Sequence, residues 1–360
     1  MRNNAGKFLV LFLLVALVVD GMAFVACKVM TRAGVMYRPL STAGYAAYLA
    51  ERDPFLGWPA PSSRGTGEID ASGSRVVPAF PDPAAPSCVA LFGDSFTFGD
   101  EVSPEEAYGN VLAQNLHCRV SNFGVGGYGT DQAVLRYEQL KPDAGLVVLG
   151  HMTNDIIRNV NQERGFLNNE PLGLKPRFLL RNGALDLIPL PNLTAEEYAS
   201  LEKDAVRLLP DDYFYPGGPS GLSGAHFPFT LSAIHALGHY RIKASLHHEP
   251  SYAQFYRPDH PSGALQVTEA IIKRFVADAA ARHQKPLVLL IPDYKDLEWI
   301  DAHGAVPYQP LIDLLAADGI PFVSAADALH TYLSGKAPCT IYRCKAGNHL
   351  TPDGYRQLAL

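Results

Sequence analysis

Four short runs in the chain are apolar at nearly every position instead of every second one: Val89-Ala90-Leu91-Phe92, Val120-Ser121-Asn122-Phe123, Leu146-Val147-Val148-Leu149, and Pro286 to Ile291. Strands written this way are buried on both faces, as in a parallel sheet. Helical stretches alternate with them at Glu105 to Leu116, Thr130 to Gln139, Leu265 to His283 and Pro310 to Ala317, and a fifth strand is expected near Pro321 to Ser324. The alternation predicts an α/β domain with helices on both sides of the sheet. Between Asp155 and about Pro261 the sheet pattern lapses, leaving loop signals and a helical stretch around Ala225 to Ser245. This reads as a large insertion, about 156–261, after the third strand. Open α/β sheets bind ligands beyond the carboxyl ends of their strands, so the insertion is well placed to shape or cover a site.

A different pattern opens the chain. Residues 8 to 19 are uniformly apolar after Arg2 and Lys7, and the apolar character resumes beyond Asp20 as far as Cys27. Twelve residues suit the core of a secretory signal, whereas the stretch from 8 to 27 matches the roughly 30 Å hydrocarbon span of a membrane helix. Asp20 is the awkward residue for an anchor, and the weak small-residue cleavage site is the awkward feature for a cleaved signal. Phe24-Val25-Ala26-Cys27 also has the outline of a lipoprotein box, with an unusual Phe in first position. Either reading places the protein at a bacterial inner membrane facing the periplasm, or outside the cell. The chain therefore divides into 1–30 as signal anchor or signal peptide, 31–86 as a Pro-, Gly- and Ser-rich stalk and irregular packing segment, and 87–360 as the α/β domain with its insertion.

Composition narrows the field further. The 360 residues are 48% hydrophobic and 18% charged, with 30 Lys and Arg against 36 Asp and Glu, a globular balance with no basic surface for a phosphate backbone. Nucleic acid is not an expected partner. Of five cysteines, Cys88 and Cys118 each precede an expected strand, and Cys339 and Cys344 lie close together. Neighbouring parallel strands would bring the first pair within disulfide reach; four small buried hydrophobes is the alternative.

The chemistry concentrates at the strand ends. Gly93-Asp94-Ser95-Phe96-Thr97-Phe98-Gly99 follows the first strand, where a turn can present the Ser95 hydroxyl and the amides after it to a cleft. The second strand ends in Asn122-Phe123-Gly124-Val125-Gly126-Gly127, whose glycines permit close backbone approach and an amide aimed at an oxyanion. The third ends in Gly150-His151-Met152-Thr153-Asn154-Asp155, which offers a side-chain amide. Gly347-Asn348-His349-Leu350-Thr351-Pro352-Asp353 places a histidine before a final helix. These four blocks, in this order over about 88 to 360, resemble the SGNH/GDSL hydrolase superfamily, and Asp53 to Trp58 together with the N-terminal segment resembles its membrane-tethered bacterial subgroup. The resemblance implies a three-layer α/β/α sandwich around a five-stranded parallel, flavodoxin-like sheet. It implies Ser95 as nucleophile, His349 as base, Gly127 as amide donor and Asn154 as side-chain donor to the oxyanion. It also implies acyl transfer from an ester without metal or organic cofactor.

One departure stands out: the family's usual carboxylate, three residues before the histidine, is replaced by Ala346. Three readings stay open: another carboxylate folds in, a backbone carbonyl holds a Ser-His dyad, or catalysis is lost. Asp94 and Asp155 adjoin functional positions and receive no triad role; Asp353 suits the first turn of a helix. His247-His248-Glu249 and Asp259-His260 lack metal-ligand spacing, and the aromatics Tyr213 to Tyr215, Tyr252, Tyr256 and Trp299 read as core before they read as a sugar-stacking wall. Thr194 and Glu197 have the spacing of a capping box. The expectation is a serine esterase or acyltransferase removing or moving small O-acyl groups on an envelope or secreted carbohydrate. The alternatives are a lipid or thioester hydrolase, expected to have an open apolar groove in the insertion, and a noncatalytic glycan-binding or envelope-assembly protein on the same scaffold.

Overall fold

The protein is described from a computed structural model covering residues 2–168, 173–345 and 347–360; Ala346 lies outside the described residues. The described residues form seven strands: β1 (Ser87–Phe92), β2 (Arg119–Asn122), β3 (Leu146–Met152), β4 (Arg177–Arg181), β5 (Ala184–Ile188), β6 (Lys285–Ile291) and β7 (Phe322–Ser324). Five of them form one parallel sheet in the order β2-β1-β3-β6-β7, at the positions the apolar runs predict. The central strands are buried on both faces: Val89 to Phe92 and Val147 to Met152 are all shielded from solvent. β3 and β6 pair without interruption from Leu146↔Lys285 to Met152↔Ile291. From β1 the chain turns outward to β2, then crosses back to β3 on the other side of β1. The direction of winding thus reverses between the carboxyl ends of β1 and β3, where open α/β sheets carry their sites. The Thr130–Leu140 and Ala264–Ala281 helices pack together in one layer, and the Tyr108–Leu116, Ala326–Leu333 and Pro352–Leu358 helices in the other.

The loss of sheet pattern after β3 needs one correction. β4 and β5 pair antiparallel through Asn182-Gly183, both at positive φ, 51° and 78°. Asn-Gly in this conformation is the preferred two-residue hairpin turn. The signal was present in the sequence and was outweighed by the loop-rich surroundings.

Compactness divides the chain into two units. One comprises Leu49–Gln162, Lys175–Pro191 and Tyr252–Leu360 and contains both sheets. The segment before β1 is irregular but tied down: Arg75 donates its backbone N–H to Asn122 O (2.7 Å), and its buried guanidinium donates to the carbonyls of Phe98, Gly99 and Val102. Disulfides join Cys88 to Cys118, with Cα atoms 6.1 Å apart, and Cys339 to Cys344.

The other unit comprises Met1–Tyr48, Glu163–Leu174 and Asn192–Ser251. Its longest element is a continuous helix, Arg2–Arg32, whose stretch Gly6–Arg32 has a mean hydropathy of 2.8 and is long and apolar enough to cross a membrane. Asp20 does not interrupt it. Cys27 is a free, buried thiol. Thr194 and Glu197 form the expected capping box, each side chain accepting the other's backbone N–H.

Candidate active site

Glycines bring the strand ends together. Thr97, in the one-turn helix Ser95–Phe98, occupies the space that a Cβ on Gly93 or Gly150 would need, its Oγ1 lying 2.1 and 2.3 Å from those ideal positions. A Cβ on Gly124 would stand 2.3 Å from Phe98 N. The ends of β1, β2 and β3 therefore close on the Ser95 turn only because all three positions lack side chains. Asn122 completes the clasp: its amide donates to Thr97 O (2.8 Å), and its Oδ1 accepts Gly124 N–H.

Ser95 begins the turn and is buried. Asp94 caps this turn by accepting Phe96 N–H at 2.9 Å, and its other oxygen lies 3.1 Å from an Arg158 nitrogen that also meets Asp155 at 2.7 Å. Asp94 and Asp155 are thus both committed to Arg158. Burial, and then the Asp94 charge, hold the Asp155 carboxyl well above the usual range. Gly127 is buried with φ 76°, a left-handed conformation that favours glycine.

Asn154 is half-buried and follows a rigid support. Thr153 donates its hydroxyl to Asp296 (2.6 Å), its N–H goes to Ile291 O, and its carbonyl accepts the Tyr256 hydroxyl (2.7 Å). Tyr252 also donates to Asp296. These two tyrosines are buried core residues whose hydroxyls brace the third block. Burial and the neighbouring Asp293 charge push the Asp296 carboxyl up to about 7.

His349 leads into the Pro352–Leu358 helix, which Thr351 caps through Gly354 N–H. Its ring tilts against Phe96, the residue after Ser95, with centroids 4.9 Å apart. On its other side stands Glu101, whose Oε1 is 3.2 Å from Nδ1. The approach is oblique: Nδ1 is buried and makes no well-angled hydrogen bond, so the contact is an ion-pair distance that a small movement would align. Glu101 itself has φ 67°, and an ideal Cβ on Gly347 would lie 1.4 Å from Oε1. The missing side chain at Gly347 is what admits the carboxylate. Asp353 accepts from Tyr332 and pairs with Arg356 at the exposed start of the last helix.

Beside the site is a cavity of about 250 Å³ between residues 53–73 and the second block, with Asp53, Arg64, Asp100 and Arg136 among its polar walls and Phe98 and Val125 among its apolar ones. Among the described residues its lining falls within 53–136, outside the insertion. Among the described residues no cluster of His, Cys, Asp and Glu has the makings of a metal site.

Residues 91–218 match the GDSL-like Lipase/Acylhydrolase family. That region, about a third of the chain, is similar to GDSL-type acylhydrolases. The protein is accordingly an ester hydrolase. The matched stretch includes Ser95, Gly127 and Asn154 and ends before His349. No match exists among curated protein sequences. Among solved structures, the chain is similar to a member of the lipolytic protein G-D-S-L family from Veillonella parvula, with 13% identity over 75% of this chain and 93% of that one, and a TM-score of 0.35. It is also similar to a catalytic mutant of an acetylxylan esterase from Geobacillus stearothermophilus, with 14% identity over 76% and 91% of the two chains and a TM-score of 0.36. The site holds a residue that sequence reasoning passed over, Glu101, whose advance signal was an acidic side chain just beyond Gly99.

Proposed function

We propose that Ser95 is the nucleophile, His349 the general base, and Glu101 the carboxylate that positions the imidazole. In this mechanism His349 Nε2 takes the Ser95 proton as Oγ attacks the ester carbonyl, and returns it to the departing alcohol. Glu101 holds the Nδ1–H and stabilises the imidazolium while it lasts. The amides of Ser95 and Gly127 and the Asn154 carboxamide hold the tetrahedral oxyanion, where each donor is typically worth about 100-fold to 1000-fold. Water then releases the acyl group, or a sugar hydroxyl accepts it.

The observation that carries this reading is the carboxylate against His349 Nδ1, because Ala346 removed the usual one. The mixed polar wall of the adjoining cavity favours a small acyl ester on a carbohydrate over a long acyl chain, which would want an apolar groove. The Arg2–Arg32 helix supports tethering of the enzyme to the bacterial inner membrane, with the hydrolase on the periplasmic side. The test is fluorophosphonate labelling of the full-length protein, made in an oxidising compartment, with the adduct located by peptide mass spectrometry. Labelling at Ser95 that disappears in Ser95→Ala and His349→Ala is expected; a folded protein that takes no label would favour a glycan-binding role.

A further inference from the structure

The Phe229–Leu237 helix has an apolar inner face, an apolar outer face and a polar edge, where Ser232 meets His226 and His235 meets Ser223. Its inner face, with Phe229, Ala233 and Ala236, packs on Cys27, Met30 and Met36 at the end of the N-terminal helix and just beyond it, and the Phe229 ring meets Phe24 at 4.9 Å. Its outer face is uncovered: Leu231, Ile234 and Leu237 are each about 60% exposed, and Phe227 just before it is 73% exposed. A contiguous apolar patch of this kind left in water invites association.

The N-terminal helix shows what covers it. Asp20 Oδ1 accepts both the N–H (2.8 Å) and the hydroxyl (3.0 Å) of Thr230, so the start of the short helix is fixed beside Asp20. At 1.5 Å per residue, Asp20 lies about 10 Å along the axis before Cys27 and about 18 Å before Arg32. The first of these depths falls within one leaflet, about 15 Å, of a bilayer whose hydrocarbon is roughly 30 Å thick. Phe24 and Val25 of the N-terminal helix are exposed as well, and Phe24 meets Phe229 at the start of the short helix. Lys28 and Arg32 at the end of the first helix, and Arg241 and Lys243 in the Tyr240–Leu246 helix, supply cations of the kind that meet anionic headgroups. The same contact answers the objection raised by Asp20, since its carboxylate finds two donors at a depth where water is scarce.

We propose that Phe227–Leu237 is a second membrane element, seated in the lipid leaflet beside the end of the N-terminal helix, with Leu231, Ile234 and Leu237 facing acyl chains. This rests on the N-terminal helix being a retained anchor. A cleaved signal would strip the inner face of the short helix as well.

The experiment places single tryptophans in the full-length protein, reconstituted in nanodiscs that hold one copy each, and measures quenching by brominated lipids after subtracting the signal of the parent chain, which has Trp58 and Trp299. Leu231→Trp and Ile234→Trp are expected to lose as large a fraction of their emission as Leu14→Trp in the anchor, with blue-shifted maxima. Val206→Trp, an exposed apolar position of the same unit on the Leu201–Leu208 helix, is expected to lose none. Quenching of Leu14→Trp without quenching at 231 and 234 would overturn the proposal and leave the anchor standing. No quenching at position 14 would overturn the anchor itself. Quenching or blue shift at 231 and 234 that appears only when several copies share a membrane would assign the face to a second copy of the chain.

Discussion

Replacing Glu101 by Gln keeps the side chain's size and removes its charge. At 3.2 Å from Nδ1 a full charge is worth about 5 kcal/mol at an effective dielectric near 20, and about 1.3 kcal/mol if water screens it fully. Glu101 is 29% exposed, and Arg343 Nε stands 3.9 Å from its second oxygen, so part of its field is already spent. A value of about 2 to 3 kcal/mol follows for its stabilisation of the imidazolium, which corresponds to a fall in kcat/KM of about 30- to 150-fold. The assay is hydrolysis of a small activated acetate ester from pH 6 to 9, with Ser95→Ala as the floor and circular dichroism as the check on folding. Gly347→Ala offers an independent route to the same contact, because its methyl would fall on Oε1. It is expected to cost activity in the parent and to be nearly silent in Glu101→Ala, where no carboxylate remains to displace. Activity of Glu101→Gln within about threefold of wild type across that range would refute the positioning role. Equal losses from Gly347→Ala in both backgrounds would show that the glycine acts through its φ of 73° alone.

Two further outcomes concern stability. Burial pushes Asp293 up to about 6, Asp296 to about 7 and Glu163 to about 8. A carboxyl whose folded pKa is raised contributes stability that is complete below its unfolded value near 4 and is lost as pH climbs through the folded value. The thermal midpoint is therefore expected to fall between pH 5 and pH 8.5, and Asp296→Asn to flatten that slope; a midpoint that rises over this range would contradict it. The disulfides should separate stability from activity. Cys88–Cys118 closes a 30-residue interval, so its removal should cost about 3 to 4 kcal/mol in denaturant melts. Cys339–Cys344 spans five residues but brackets Arg343, whose N–H holds His349 O at 2.8 Å. Its double Ser variant should lose kcat/KM out of proportion to any loss of stability, and an unchanged rate would show that the histidine loop holds itself.

The sheet was legible because its strands are buried on both faces, so the runs around Leu91, Val148 and Leu290 carry the signal without help from their neighbours. The Ser95 turn was legible for a related reason: Gly93, Gly124 and Gly150 are demanded by contacts between strand ends, and each sits beside the block it serves. Glu101 follows a different logic. It reaches His349 from almost 250 residues away along the chain, and the contact depends on a positive φ at Glu101 and on the absence of a Cβ at Gly347, neither of which leaves a periodic trace. Ala346 looked like a deletion from the site when read with its neighbours as a linear block. In three dimensions the glycine one place later leaves the space that Glu101 occupies beside His349, and on the proposed mechanism that carboxylate takes the place of the one Ala346 lacks. The N-terminal helix shows the same limit: Asp20 looked costly within an apolar run, and its partner Thr230 lies 210 residues on, in a helix whose own apolar outer face became intelligible only beside the first.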